Sequence, residues 1–536
     1  MPASNANLDP VDICIVGCGA GGGVLAYELA ARKRSVTVLE VGSRPSRAGI
    51  ATYRPDWELR GEEFLPGDRA RDRITLGPES EPFHLVRFKG VGGSTMHYEG
   101  QCNRMHPRDF TRFTEYGIGA DWPLGYDDLA PHYDRVELML GVSGALDDRF
   151  APPRPAYPNP AIAFSCAVKR VAAACERLGL HPSHAPLAIL SRPQSGRGEC
   201  NFCGSCVFGC LHAAISNMSE TYIPAAEREG ARILDGCMAT RVRLKADGRH
   251  VDGVEFLDAR GALRFQPARA VAVAGNAVET ARLLLLSSTA DHPDGLANSS
   301  GLVGRNFMVH THVRVGGLLD ERVEAYRGPN INGVVKDFYE SDERRGYVGG
   351  YLVALRNGQL GPVSFHHEWL ASARPFGAEL HARMEGDFGH SVDIDAYGES
   401  CPDQNNRVEL DPDVKDSFGV PVPRITIRHS ENSRKMAAHM TNTLTDILTA
   451  AAARETKVLR DARLLGTHLM GTCRMGKDPK TSVCNPFGQT HDIKNLFLAD
   501  ASVFPTATPA NPTLTIQALS TRLALHIDDL FSHRDL

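Results

Sequence analysis

Val11-Asp12-Ile13-Cys14-Ile15-Val16-Gly17-Cys18-Gly19-Ala20-Gly21-Gly22-Gly23 reads as an apolar strand running into a glycine turn that opens a helix. The helix is predicted over 24–32, with Leu25, Leu29 and Ala30 on one side. A second strand, Ser35-Val36-Thr37-Val38-Leu39, ends at Glu40. Gly17, Gly19 and Gly22 satisfy G-x-G-x-x-G. The first glycine allows the tight turn, the second lets a pyrophosphate approach the backbone, and the third lets helix and strand pack closely. The phosphates then sit at the helix N-terminus, where free N–H groups and the helix dipole favour negative charge, and Ala20 in the glycine turn is among the expected cofactor contacts. Glu40 lies 23 positions after Gly17, in register to reach ribose hydroxyls. A strand, a glycine turn, a helix and an acid in this order predict a bound dinucleotide and redox chemistry.

Bulk properties narrow the class. A chain of 536 residues exceeds one compact core and predicts two joined domains. The net charge of −5, without a long basic run, argues against nucleic acid as a partner. No stretch of about 18 uncharged apolar residues exists, so no membrane span is expected. Residues 1–10 lack the basic and apolar regions of an export signal, which predicts a cytoplasmic protein unless a partner subunit carries it out. With no such signal, the thirteen cysteines are not expected to form a disulfide framework.

Two more blocks repeat the pattern of the first. Ala270-Val271-Ala272-Val273-Ala274-Gly275-Asn276 is a buried-strand run with a glycine exit, followed by a Leu-rich helix over 278–287. Asn495-Leu496-Phe497-Leu498-Ala499-Asp500 is another, closed by an acid, and its helix covers 514–530. Strands buried on both faces read as continuous apolar runs. Segments around 130–225 and 310–465 alternate instead, as in His312-Val313-Arg314-Val315, and predict a second sheet over the reactive end of the cofactor. The reading is an α/β (α+β overall) protein. Residues 1–130, 226–310 and 466–536 form the cofactor domain, and 131–225 and 311–465 form the substrate domain.

With these blocks in place the chain resembles the glucose–methanol–choline (GMC) oxidoreductases. The resemblance rests on the Gly17–Glu40 unit; on Gly90-Val91-Gly92-Gly93-Ser94; on Asp121-Trp122-Pro123-Leu124 with Tyr126-Asp127-Asp128-Leu129; on 275–285; on Gly301-Leu302-Val303-Gly304-Arg305-Asn306; and on 468–515. The ending Asn511-Pro512-Thr513-Leu514-Thr515 is most similar to pyranose oxidases and bacterial sugar dehydrogenases. The resemblance implies FAD rather than NAD. It implies a Rossmann-like FAD domain of the p-hydroxybenzoate hydroxylase type and a substrate domain on an antiparallel sheet. It further implies cofactor contacts from Ser94, Val242, Ala274, Pro512 and Thr513, with Asp500 near the ribityl and pyrophosphate groups. From the residues alone, Gly92 and Gly93 allow the backbone close to a flat ring or a phosphate, and Asp500 ends a strand at the carboxyl edge of the sheet, where cofactors bind.

His468 precedes a glycine turn and Asn511 precedes a helix. By resemblance they match the family's pair facing the flavin's reactive nitrogen. An alcohol C–H donates hydride once its O–H proton begins to leave, and a neutral imidazole suits that proton. An Asn amide offers the developing alkoxide a fixed donor. The plainer reading makes His468 a turn residue and Asn511 a helix cap. His97, in Gly93-Ser94-Thr95-Met96-His97-Tyr98, stands where pyranose oxidases bond a His covalently to the flavin. Its neighbours depart from that branch's Thr-His-Trp, which favours a His packed beside the flavin without a bond.

Cys200, Cys203, Cys206 and Cys210 have the C-x₂-C-x₂-C-x₃-C spacing of bacterial ferredoxins. Leu211 replaces the usual following proline, and no second set of cysteines exists to share the fourth ligand. The alternatives are an iron–sulfur relay, a zinc-like structural site, or a loop of free thiols with a disulfide.

The expected reaction is FAD-dependent oxidation of an alcohol group on a sugar or glycoside, with dioxygen or an electron-transfer partner as acceptor. One alternative is a dehydrogenase passing electrons through the cluster to a cytochrome. Another is a non-redox lyase with an idle flavin. Glu368, Glu379, Glu385, Asp387, Asp393 and Asp395 crowd the segment expected to roof the cleft. Facing inward they favour an aminosugar or aminoglycoside; facing outward they are a solvated surface.

Overall fold

In the computed structural model, which describes residues 7–45, 73–357, 361–371 and 373–536, the strand Val11–Val16 lies inside a seven-stranded sheet. Residues 1–6, part of the segment read for an export signal, fall outside the described residues. Val36–Leu39 pairs parallel on one side of Val11–Val16, and the second half of Leu263–Val273 pairs parallel on the other. Arg232–Leu234 extends the sheet beyond Val36–Leu39, and Leu496–Leu498 pairs parallel with Val271–Val273. Ile13, Cys14 and Ile15 are fully buried because the sheet is covered on both faces, which is why the run carries no polar alternation. Leu263–Val273 changes partner along its length: its first half pairs antiparallel with Val251–Leu257, which pairs in turn with Met238–Leu244.

The helix Ala20–Ala31 packs on the C-terminal helix Thr513–His533 and on Tyr222–Arg228. Tyr126–Leu140 packs on the same C-terminal helix. One large core therefore joins the beginning, middle and end of the chain.

The second sheet is antiparallel and six-stranded, in the order Glu455–Leu464, Thr311–Leu318, Ser391–Gly398, Tyr351–Arg356, Ile331–Val335, Pro182–His184. Helices Cys166–Arg177 and Glu431–Ala450 cover one face, each started by a serine cap (Ser165, Ser430) that accepts a backbone N–H. Val313, Val315, Val353, Val392, Ile394 and Ala396 point at those helices. The period of two then turns His312, Arg314, Arg356, Asp393, Asp395 and Tyr397 to the opposite face. No helix of the described residues is long and apolar enough to cross a membrane.

Candidate active site

The polar face of the second sheet, the glycine turn and the C-terminal block enclose a cavity of about 450 Å³. Its nucleotide end follows from local geometry. Gly17, at φ 100°, turns the chain where a Cβ would stand 2.4 Å from the Ala274 carbonyl oxygen. A Cβ on Gly93 would stand 2.7 Å from Gly19 Cα, so these two glycines let two backbones meet at the cavity wall. Gly17, Gly19, Ala20, Glu40, Gly93, Ser94, His97, Ala274, Asp500, Pro512 and Thr513 line the cavity with His468 and Asn511.

Three expected contacts stand elsewhere. Gly22 serves packing, since a Cβ there would lie 1.9 Å from the Gly17 carbonyl oxygen. Gly92 shapes the loop by donating its N–H to the Cys18 carbonyl at 3.0 Å. Val242 does not reach the cavity; it is buried in Met238–Leu244 with its N–H on Ser287 Oγ, and Cys237, Met238 and Ala239 form the wall there.

Two acids are held by backbone. Glu40 accepts the N–H groups of Cys18 at 2.9 Å and Gly42 at 3.0 Å, and burial pushes its carboxyl up to about 7. Each of its oxygens retains a lone pair for a ribose hydroxyl. Asp500 accepts from Asn276 N–H (3.0 Å), Thr280 Oγ1 (2.5 Å) and Ser502 N–H (2.8 Å), so its carboxylate pins the cofactor loops to one another.

His468 is brought to the cavity by a pairing between two loops. Met308 and Met470 exchange both backbone hydrogen bonds (3.0 and 2.9 Å), and Leu465 N–H donates to the His310 carbonyl at 3.0 Å. Gly471, at φ 93°, makes the turn that follows. His468 Nδ1 lies 2.9 Å from His310 Nδ1, which leaves Nε2 as its free nitrogen. Burial, then His310 and His312, lower the His468 pKa well below the ordinary imidazole value, so the ring is neutral near pH 7. Asn511 Oδ1 accepts from Asn103 Nδ2 at 3.2 Å, which leaves the Asn511 amide N–H₂ as its donor. His97 Nδ1 donates to the Val207 carbonyl at 2.7 Å; its Nε2 is therefore unprotonated, buried and unpartnered at the cavity wall.

The sequence agrees with this geometry. Residues 19–312 and 402–520 match the N- and C-terminal models described as GMC oxidoreductase. The chain belongs to the GMC oxidoreductase family. It is 33% identical to 2-methyl-1,2-propanediol dehydrogenase of Mycolicibacterium austroafricanum, over 98% of this chain and 96% of that protein. It is 31% identical to the fructose dehydrogenase large subunit of Gluconobacter japonicus, over 97% and 98%. Its fold matches formate oxidase of Aspergillus oryzae with a TM-score of 0.65 at 18% identity, covering 99% and 100% of the two chains. This GMC oxidoreductase is therefore an FAD-dependent enzyme acting on alcohols. The glycine cradle, into which a Cβ would intrude, and the orphaned His97 Nε2 fit that cofactor.

The far end of the cavity is a set of residues that sequence reasoning passed over. His312, Arg314, Arg356, Tyr397 and Arg460 line it with Glu99. Asp395 lies beneath and accepts from Arg314 (2.6 and 3.1 Å), Arg356 (2.8 Å) and Tyr397 Oη (2.9 Å). Arg356 also pairs with Glu99 at 2.7 Å. None of the six acids read from the sequence lines the cavity. Glu379 and Glu385 are exposed, Asp387 pairs with Arg383 and Arg454, Glu368 meets Arg314 and Arg460, and Asp393 is enclosed with both oxygens unpartnered. The signal was present in His312-x-Arg314, whose alternation marks a polar face on a buried strand.

The cysteine loop packs behind His97 through Val207. All thirteen cysteines are free. Cys200, Cys203, Cys206 and Cys210 lie close enough that each further charge opposes ionisation of Cys206. Yet no three His, Cys, Asp or Glu side chains among the described residues converge as metal ligands. The arrangement among the described residues does not fit a cluster or a zinc site.

Proposed function

We propose that this enzyme oxidises an alcohol carbon of a polyol, sugar or glycoside, with His468 accepting the hydroxyl proton on Nε2 and the Asn511 amide donating to the oxygen. The observation that carries this reading is the neutral His468 with Nδ1 engaged and Nε2 free, on the wall shared by the nucleotide cradle and the polar sheet face. Bound FAD would supply the hydride acceptor. A base that stays unprotonated at neutral pH can take the proton as hydride leaves. The donor and acceptor array of Arg314, Arg356, Tyr397, His312 and Glu99 suits a substrate carrying several hydroxyls, each of which both donates and accepts. The division into a cofactor domain (1–130, 226–310, 466–536) and a substrate domain belongs to the same reading. So does an acceptor that is either dioxygen or an electron-transfer partner.

The test is anaerobic mixing of the FAD-loaded enzyme with 2-methyl-1,2-propanediol, fructose, glucose and glucosamine. Bleaching of the flavin band supports the proposal. Peroxide on admitting air then selects dioxygen as acceptor, and faster reduction by glucosamine than by glucose selects an amino-bearing substrate. Conversion of substrate with the flavin still oxidised contradicts the proposal and selects the lyase. The iron–sulfur relay rests on cysteine spacing alone; iron and acid-labile sulfide in protein purified without oxygen would restore it.

A further inference from the structure

His310, fully buried, and His468, half-buried at the cavity wall, share one hydrogen bond, Nδ1 to Nδ1 at 2.9 Å, with their rings edge to face. A neutral pair has one proton for that bond, so the tautomers of the two rings are locked to each other. If His310 donated, its Nε2 would be a bare lone pair in a fully enclosed site, beside the Thr508 backbone, which favours a protonated ring. The same polarity would put a proton on His468 Nε2, where a base needs a lone pair. If His468 donates, His310 carries its proton on Nε2, which makes no hydrogen bond but lies near the Thr508 backbone, whose influence favours the protonated nitrogen, and His468 Nε2 is free.

We infer that His310 is the positioning residue of the base: it accepts a hydrogen bond from His468 Nδ1–H, fixes the tautomer that leaves Nε2 unprotonated, and holds the imidazolium formed when Nε2 takes the hydroxyl proton. This rests on the reading of His468 as base. The proton balance is complete within the pair. The substrate proton goes to Nε2, the Nδ1 proton stays in the shared bond, and the C–H hydride leaves toward the flavin. The bond strengthens as His468 becomes charged, since charge-assisted hydrogen bonds are roughly twice as strong as neutral ones. It therefore stabilises the protonated base more than the resting one.

His310 does this without a charge of its own. Burial lowers its pKa to about 4, so it does not take the proton from its partner. A carboxylate in its place would do the same positioning but would raise the pKa of His468, so that protonation disables the base at a higher pH. The other groups facing the pair are His312, beyond it Asp395, Arg314 and Arg460, and Tyr397, whose ring centre is 5.9 Å from that of His468. Asp395 is shared by two arginines and stands next to His312 rather than His468. The loop pairing of Met308 with Met470 fixes the two rings relative to each other before any ligand arrives.

The experiment measures anaerobic flavin reduction against pH for His310→Leu, His310→Asn and His310→Asp, with His468→Gln as control. The probes are 2-methyl-1,2-propanediol and fructose. FAD content and thermal stability are recorded for each variant. His310→Leu is expected to reduce about 10- to 100-fold more slowly, the loss of one hydrogen bond to a charged group, with FAD content retained. His310→Asn places an acceptor oxygen where Nδ1 stood and is expected to recover to within about tenfold of wild type. His310→Asp is expected to move the acid limb of the profile upward by about one pH unit or more. An acid limb that does not move in His310→Asp overturns the inference, as does wild-type reduction by His310→Leu alongside an inert His468→Gln. Wild-type reduction by His468→Gln is the separate result that overturns the base itself. If His310→Leu fails to fold, the Asp and Asn variants decide.

Discussion

Replacing Asp395 by Asn keeps the shape of the side chain and removes one buried negative charge. Asp395 is fully enclosed and accepts from Arg314, Arg356 and Tyr397, with His312 Nε2 3.3 Å away. Arg314 and Arg356 are themselves 8% and 6% exposed, so solvent screens little of the charge left behind. Breaking a buried pair by removing one partner costs about 3–5 kcal/mol. Unfolding entropy of about 2.1 cal/mol/K per residue makes about 4 kcal/mol equivalent to about 3–4 °C in Tm if the chain of 536 residues unfolds as one unit. Burial alone would raise the Asp395 pKa, but Arg314, Arg356 and His312 outweigh it and hold the carboxyl well below its ordinary value of 3.8. A depressed carboxyl contributes stability that is full above the unfolded pKa and is lost as pH falls through the folded one. The Tm gap between wild type and Asp395→Asn should therefore be full at pH 6 and shrink on acidification below about pH 4. Differential scanning calorimetry of the FAD-saturated proteins measures both. A variant as stable as wild type at pH 6, or a gap that widens at low pH, would refute the claim that this carboxylate neutralises the two arginines.

Asp393 has the opposite sign: burial pushes its enclosed carboxyl up to about 7, so folding favours its protonated form and stability falls as pH rises from about 4 to about 7. Asp393→Asn should lack that slope and gain in Tm over wild type between pH 5 and pH 8; parallel curves would contradict this. Gly93→Ala sets a Cβ 2.7 Å from Gly19 Cα at φ 54°, and is expected to lose FAD on desalting while far-UV circular dichroism stays unchanged. Retention of stoichiometric FAD would show that the cradle is not where the two backbones meet. Asn103→Leu removes the partner of Asn511 Oδ1 and is expected to slow flavin reduction about 2- to 12-fold with bound FAD intact, the cost of about one neutral hydrogen bond that orients the amide.

The cofactor half of the molecule was legible because its physics is local. Three continuous apolar runs lead into glycine or acid exits, and the expected helices at 24–32, 278–287 and 514–530 appear as Ala20–Ala31, Asn276–Leu286 and Thr513–His533. The partner change within Leu263–Val273 left no mark, since parallel and antiparallel halves of a buried strand draw on the same residues. His312 and Arg314 could be placed on one face of a strand, but not on the face that meets the cavity, because that depends on which side Glu431–Ala450 covers. His310 was invisible for a similar reason: its link to His468 spans 158 residues and exists only once two loops pair. In the cysteine loop, spacing was legible and convergence was not. Phe202 and Gly204, both at positive φ, redirect the chain between thiols.

In the proposed reaction the free Nε2 of a neutral His468 takes the alcohol proton as hydride leaves. Stopped-flow reduction of FAD-loaded His468→Gln by the alcohol that reduces wild type fastest, under anaerobic conditions and across pH 6–9, tests it most directly. A loss of about 100-fold or more at pH 7 is expected, within the range set by a general base, with recovery as pH rises and alkoxide becomes available. Reduction at the wild-type rate, with the wild-type pH profile and full FAD content, would contradict it.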